Sequence, residues 1–238
     1  MTMAWPAAAA VSLAVAVGGR AVTPWGLLLL ACGTAAAYGL DRLIDRRDCD
    51  PILLRRALLA CVVLAAAGTG LLACTAWWRF KVCLALSVVA GAYVPLKRFI
   101  PKNVLTALAW TAAIATLPFA GLPALDRAFA SSVLAVALIM AANTLLCDLP
   151  DVAADRQSGV LGIAPRLGVR AGAFAALTFG LLGLLVASLA GRWGLAVTAL
   201  GLALLAVLLA RDPAQARYRL LADALVVCLP GPLALLLA

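Results

Sequence analysis

The sequence predicts an all-α, polytopic membrane protein, and three observations carry that reading. Apolar runs recur from one end of the chain to the other, and hydrophobic residues make up 66% of it at a mean hydropathy of +1.10. Only 12% of residues are charged, and most of these fall in short stretches between the apolar runs. A chain of 238 residues patterned in this way is expected to fold as one domain, 1–238.

The runs number nine, at about 4–18, 22–40, 53–78, 80–96, 103–122, 128–147, 169–190, 193–210 and 219–237. A perpendicular crossing takes about 20 apolar residues, so the first and fourth are short and are read as tilted or helped by their flanks. No basic residue precedes the first run, which reads as a retained helix rather than a cleaved signal. The loops set the orientation. Those after runs two, four, six and eight hold fourteen of the nineteen Lys and Arg residues. The positive-inside bias therefore puts these loops and the N-terminus in the cytoplasm and the C-terminus outside; the expected location is a bacterial inner membrane. A net charge of +9 distributed this way suits lipid head groups rather than nucleic acid.

Composition removes whole classes of chemistry. There is no histidine and no glutamate, which excludes Ser-His-Asp triads and His-ligated metals. The seven cysteines show no paired spacing and read as small apolar filler. A metal in this chain must be held by aspartate, and carboxylate oxygen favours a hard cation such as Mg²⁺.

Seven of the ten aspartates lie in two clusters. Asp41, Asp45, Asp48 and Asp50 follow run two, while Asp148, Asp151 and Asp155 follow run six. Both clusters fall on the predicted cytoplasmic side. On a helix, residues four apart share a face, so Asp41 and Asp45 point one way, as do Asp151 and Asp155. Asp148 stands before Pro150, at an expected helix break. Repelling carboxylates near a bilayer call for a cation. Two facing pairs suit Mg²⁺ carrying a diphosphate, and the apolar surroundings suit a long hydrocarbon tail on that diphosphate. The alternative is a set of solvated loop acids balanced by neighbouring arginines. Candidate diphosphate ligands are Lys97, Arg42, Arg46, Arg98, Lys102 and the intramembrane Asn143, with topology or helix pairing as their other reading. Tyr38 and Tyr93 are candidates to stabilise a carbocation with their ring faces, or else belong to an interfacial aromatic belt.

These residues resemble the UbiA superfamily of intramembrane prenyltransferases. The family's first motif, Asn-x-x-x-Asp-x-x-x-Asp, is matched by Ala37, Asp41 and Asp45, with alanine in place of the asparagine. Its second is matched by Asp148, Asp151 and Asp155, followed by Arg156, Ser158 and Gly159. Leu96-Lys97-Arg98-Phe99 resembles the basic stretch between its fourth and fifth helices. The resemblance implies nine transmembrane helices around a central cavity open to lipid, with Asp41, Asp45, Asp148, Asp151 and Asp155 binding Mg²⁺–diphosphate. It implies a prenyltransferase that ionises an isoprenyl diphosphate and passes the prenyl group to an aromatic or lipidic acceptor. A UbiA-type terpene cyclase, in which the substrate's own double bond captures the cation, is the alternative. A membrane transporter or scaffold is the reading from outside enzymology. A CDP-alcohol phosphotransferase is disfavoured because its Asp-Gly motif does not occur.

Overall fold

The computed structural model describes residues 4–45, 51–73, 77–96, 99–121, 123–211 and 217–236, and it is helical throughout. Among the described residues the β pairing is confined to an isolated bridge between Val22 and Phe119. In chain order the helices are α1 (Ala4–Gly18), α2 (Pro24–Asp45), α3 (Pro51–Ala73), α4 (Trp77–Leu96), α5 (Lys102–Thr116) and α6 (Arg127–Asp148). They continue with α7 (Val152–Gln157), α8 (Ile163–Leu167), α9 (Val169–Leu189), α10 (Trp193–Arg211), α11 (Arg217–Cys228) and α12 (Pro230–Leu236).

Helices occupy all nine apolar runs, the last in two pieces that part at Leu229, just ahead of Pro230. The number of crossings is a separate question. By length and composition, three stretches among the described residues suffice to span a bilayer: Arg127–Gln157, Val169–Leu189 and Trp193–Arg211. Shorter apolar helices cover Trp5–Gly18, Pro24–Leu40 and Leu220–Leu236.

Local chemistry sets several helix starts. Thr23 caps α2, its Oγ1 accepting from the Gly26 N–H at 3.1 Å, with Pro24 in the first helical position. Asp126 caps α6 by accepting from the Phe129 N–H at 2.7 Å. The core forms where α6, α9 and α10 meet, around Ile139, Leu195, Leu202 and Leu209, all nearly inaccessible. Small residues let these helices approach closely, as small side chains do where lipid removes the hydrophobic drive between helices. A Cβ on Gly180 would stand 3.0 Å from the Ala203 side chain and 3.1 Å from its backbone. Large apolar side chains face outward instead, among them Leu134, Phe174, Leu185 and Leu204.

α5 and α6 pack side by side with their chains reversed, so the start of α5 and the end of α6 lie at one end of the bundle. The start of α2 belongs to the other end, where the Thr23 N–H donates to the Pro118 carbonyl at 2.8 Å. α2 packs on α1, α3 and α4, whereas α6 packs on α5, α9, α10 and α11, and α1 touches both.

Candidate active site

Four polar side chains meet at the α5–α6 end. Lys102 is the first residue of α5, and its Nζ lies 3.0 Å from Asp148 Oδ1 while also donating to Asp155 Oδ2. Asn103, the next residue, donates from Nδ2 to Asp148 Oδ2 at 2.5 Å. Asp155 and Asn103 are 3% and 5% exposed, so these bonds are made largely out of water.

The backbone brings the two aspartates together. α6 stops at Asp148, a 3-10 turn carries the chain through Leu149-Pro150-Asp151, and α7 begins at Val152. The break anticipated at Pro150 is thus a tightened turn that continues in nearly the same direction. Asp148 and Asp155, seven residues apart, fall two turns apart on one side and converge on Lys102. Asp151 sits in the turn itself, half-buried, immediately before α7.

The following loop closes over the cluster. Gly159, at φ +69°, reverses the chain, and the Val160 N–H returns to the Asp155 carbonyl at 3.0 Å. The Lys102 N–H then donates to the Leu161 carbonyl at 3.1 Å, tying the start of α5 to this loop. Gly162 makes room for the amide: a Cβ there would come within 3.3 Å of Asn103 Oδ1 and 3.1 Å of Pro165 Cδ. Arg156 turns outward and donates from Nε to the Pro165 carbonyl at 2.9 Å.

Two further features concern the polar groups of α5 and α6. Lys102 lies at the positive end of the α5 dipole, an unfavourable place for a cation unless carboxylates stand beside it, as they do here. Two carboxylates against one ammonium also leave a negative charge uncompensated within the trio. Asn143, earlier on α6, is 8% exposed, and among the described residues no donor reaches its Oδ1. A buried amide oxygen left without a donor costs on the order of 1–3 kcal/mol, which a ligand or ion at that point would return.

The remaining predicted residues are placed as follows. Asp41, Arg42 and Asp45 lie on the final turns of α2, so Asp41 and Asp45 are four apart on one helix; their side chains lie outside the described set. Arg46, Lys97 and Arg98 are outside the described residues altogether. Tyr38 and Tyr93 are half-buried on α2 and α4, and Ala37 is exposed. A groove of about 320 Å³ lies between α9 and α10, lined by Arg170, Phe174, Leu177 and Arg211 among others, and includes no predicted site residue.

Sequence reasoning missed two participants. Asn103 was hidden as an ordinary polar residue at a helix start. Asp223, on α11, accepts from the Cys147 thiol at 3.5 Å, next to Asp148 in the chain. An isolated aspartate inside the last apolar run was the signal that marked it.

Carboxylate oxygen is the donor type preferred by the Mg²⁺ that the Asp-rich motif implies, and Asp148 and Asp155 supply it here, both turned to Lys102. Lys102 already puts a positive charge between these two carboxylates. Among the described residues no group of three or more acids or thiols is placed to hold a metal ion.

No protein-family model matches the chain, and no curated protein matches it in sequence. Solved structures do match in shape. The apo structure of a UbiA homolog from Aeropyrum pernix K1 superposes with a TM-score of 0.70 at 17% identity, covering 99% of this chain and 97% of that one. A digeranylgeranylglyceryl phosphate synthase, studied for its biosynthetic role in membranes, superposes with a TM-score of 0.55 at 10% identity, covering 98% and 90%. Both matches run almost from end to end, and helices long and apolar enough for a bilayer accompany them. This chain is an integral membrane protein with the UbiA fold.

Proposed function

We propose that the chain is a Mg²⁺-dependent intramembrane prenyltransferase acting on an isoprenyl diphosphate. The observation that carries this reading is the trio of Asp148, Asp155 and Lys102, drawn together at one end of a UbiA-type bundle with Asp155 buried. Asp148, Asp151 and Asp155, together with Asp41 and Asp45 on α2, would hold the metal and through it the diphosphate. When bound, the metal supplies positive charge that makes the diphosphate a better leaving group.

The chain's own groups then do the following. Lys102, with Lys97, Arg98, Arg42 and Arg46 as further cations, binds phosphate oxygens by charge-assisted hydrogen bonds. Asn103 and the loop through Gly162 orient Asp148, and burial of Asp155 excludes water from the leaving group. The allylic carbon–oxygen bond breaks with its electron pair going to the diphosphate. The allylic cation rests against Tyr38 and Tyr93 until an acceptor attacks it and loses a proton. The site opens towards the cytoplasm in the orientation that the charged loops predict.

Purified protein incubated with farnesyl or geranylgeranyl diphosphate and Mg²⁺ tests this. Release of pyrophosphate that stops on chelation and in Asp155→Asn is expected. An acceptor-free hydrocarbon product would turn the reading to a terpene cyclase on the same site. Release that is unchanged in Asp155→Asn would end it.

A further inference from the structure

Lys102 is bonded to the carboxylates that the metal reading needs. It is 12% exposed, it contacts both Asp148 and Asp155, and its backbone is tied to Leu161 at 3.1 Å. Asn103 occupies the second oxygen of Asp148. An ion approaching these carboxylates alone must displace a largely shielded ammonium from both of its anionic partners. An ion arriving with a diphosphate brings a new anion for that ammonium.

We propose that Lys102 is an internal counter-cation that competes with metal for Asp148 and Asp155 while diphosphate is absent, and transfers its hydrogen bonds from these carboxylates to the phosphate oxygens when diphosphate arrives. The inference rests on the proposed metal–diphosphate site and adds an order to it: metal and diphosphate bind as coupled ligands. Each raises the affinity of the other by the same factor, because the same ammonium is released from the acids and captured by the phosphate. The lysine offsets one of the two acids' charges in the empty site and weakens loading with free divalent ions.

The test is Mn²⁺ binding without diphosphate, read from the free-ion electron paramagnetic resonance signal on detergent-purified wild type, Lys102→Met and Lys102→Arg. Removing the competing ammonium in Lys102→Met should tighten Mn²⁺ binding about tenfold, within the usual span of coupling between sites. Lys102→Arg, which retains the charge, should stay near wild type. Asp155→Asn should lose the ion in every background. Equal Mn²⁺ affinity in wild type and Lys102→Met, with binding still abolished by Asp155→Asn, would overturn the competing role and leave the metal site standing. Mn²⁺ binding unaffected by Asp155→Asn would overturn the metal site and this proposal together.

A second measurement needs no variant and so is independent of folding. The chain has three lysines, Lys81, Lys97 and Lys102, and acylation of each can be followed by peptide mass spectrometry. Saturating Mn²⁺ alone should expose Lys102 to label, and Mn²⁺ with inorganic pyrophosphate should protect it again. Labelling of Lys102 indifferent to both additions would refute the exchange.

Discussion

Buried cations lie at both ends of the bundle, and they are held in different ways. At the α5–α6 end, Lys102 meets the carboxylates of Asp148 and Asp155. At the other end, roughly 22 Å away along a 15-residue helix, the Arg79 guanidinium donates to the Phe119 carbonyl and lies 5.4 Å from the Trp78 ring centroid. There too, Arg192 donates from Nε to Ser132 Oγ at 3.0 Å. A backbone carbonyl or a hydroxyl has one place to be and no charge to exchange, so these arginines act as latches between helices. A pair of carboxylates around a lysine is different. An ammonium held by carboxylates is a contact that another cation could replace, so the proposed ligand exchange belongs to this end, whereas the opposite end is built of fixed contacts.

The largest effect expected from this contrast is on chemistry. Asp148→Asn or Asp155→Asn should slow pyrophosphate release by at least about a hundredfold, the scale of losing a group that stabilises charge in a transition state. Arg79→Met should leave turnover per folded molecule unchanged. A large loss of turnover in Arg79→Met would show that the two ends do not divide in this way.

Asn143→Leu comes next. Its Oδ1 is buried without a donor among the described residues, so its removal should not lower the melting temperature, whereas loss of a contact to a charged ligand should slow the reaction about tenfold. A fall in melting temperature with unchanged turnover would reassign Asn143 to structure.

The latches should respond in stability alone. Gly194→Ala would put a Cβ 2.5 Å from the Pro230 carbonyl oxygen, and overpacking against backbone should cost about 1–3 kcal/mol, visible in thermal unfolding in detergent. Ser132→Ala takes the acceptor from Arg192 and should cost about 1 kcal/mol, with pyrophosphate release unaltered.

Much of the fold was legible because lipid imposes a severe rule. Every backbone amide must be satisfied within its own helix, so an apolar run announces a helix wherever it lies. The caps at Thr23 and Asp126 are local signals of the same kind, which the apolar runs by themselves do not use. The break before Pro150 was readable for the same local reason. The single run at 219–237 became two helices, α11 and α12, because hydropathy does not register the prolines at 230 and 232. The site was legible in part. The carboxylates of the second cluster stood out against an apolar background, but their spacing drew attention to Asp151 with Asp155. The 3-10 turn instead directs Asp148 and Asp155 to the same lysine.

By itself, then, the sequence determined that the chain is helical, that it belongs in a membrane, and which acids are candidates for chemistry. Each of these follows from local composition and periodicity. Tertiary structure alone decided that Lys102 and Asn103 face Asp148 and Asp155, and that Asp223 reaches Cys147. Those contacts join residues 45 to 76 positions apart, and chain folding, not pattern, brings them together. The physical reason is the packing of α5 and α11 on α6 by small and apolar residues, which carries no record in the sequence of which polar groups will meet at its ends.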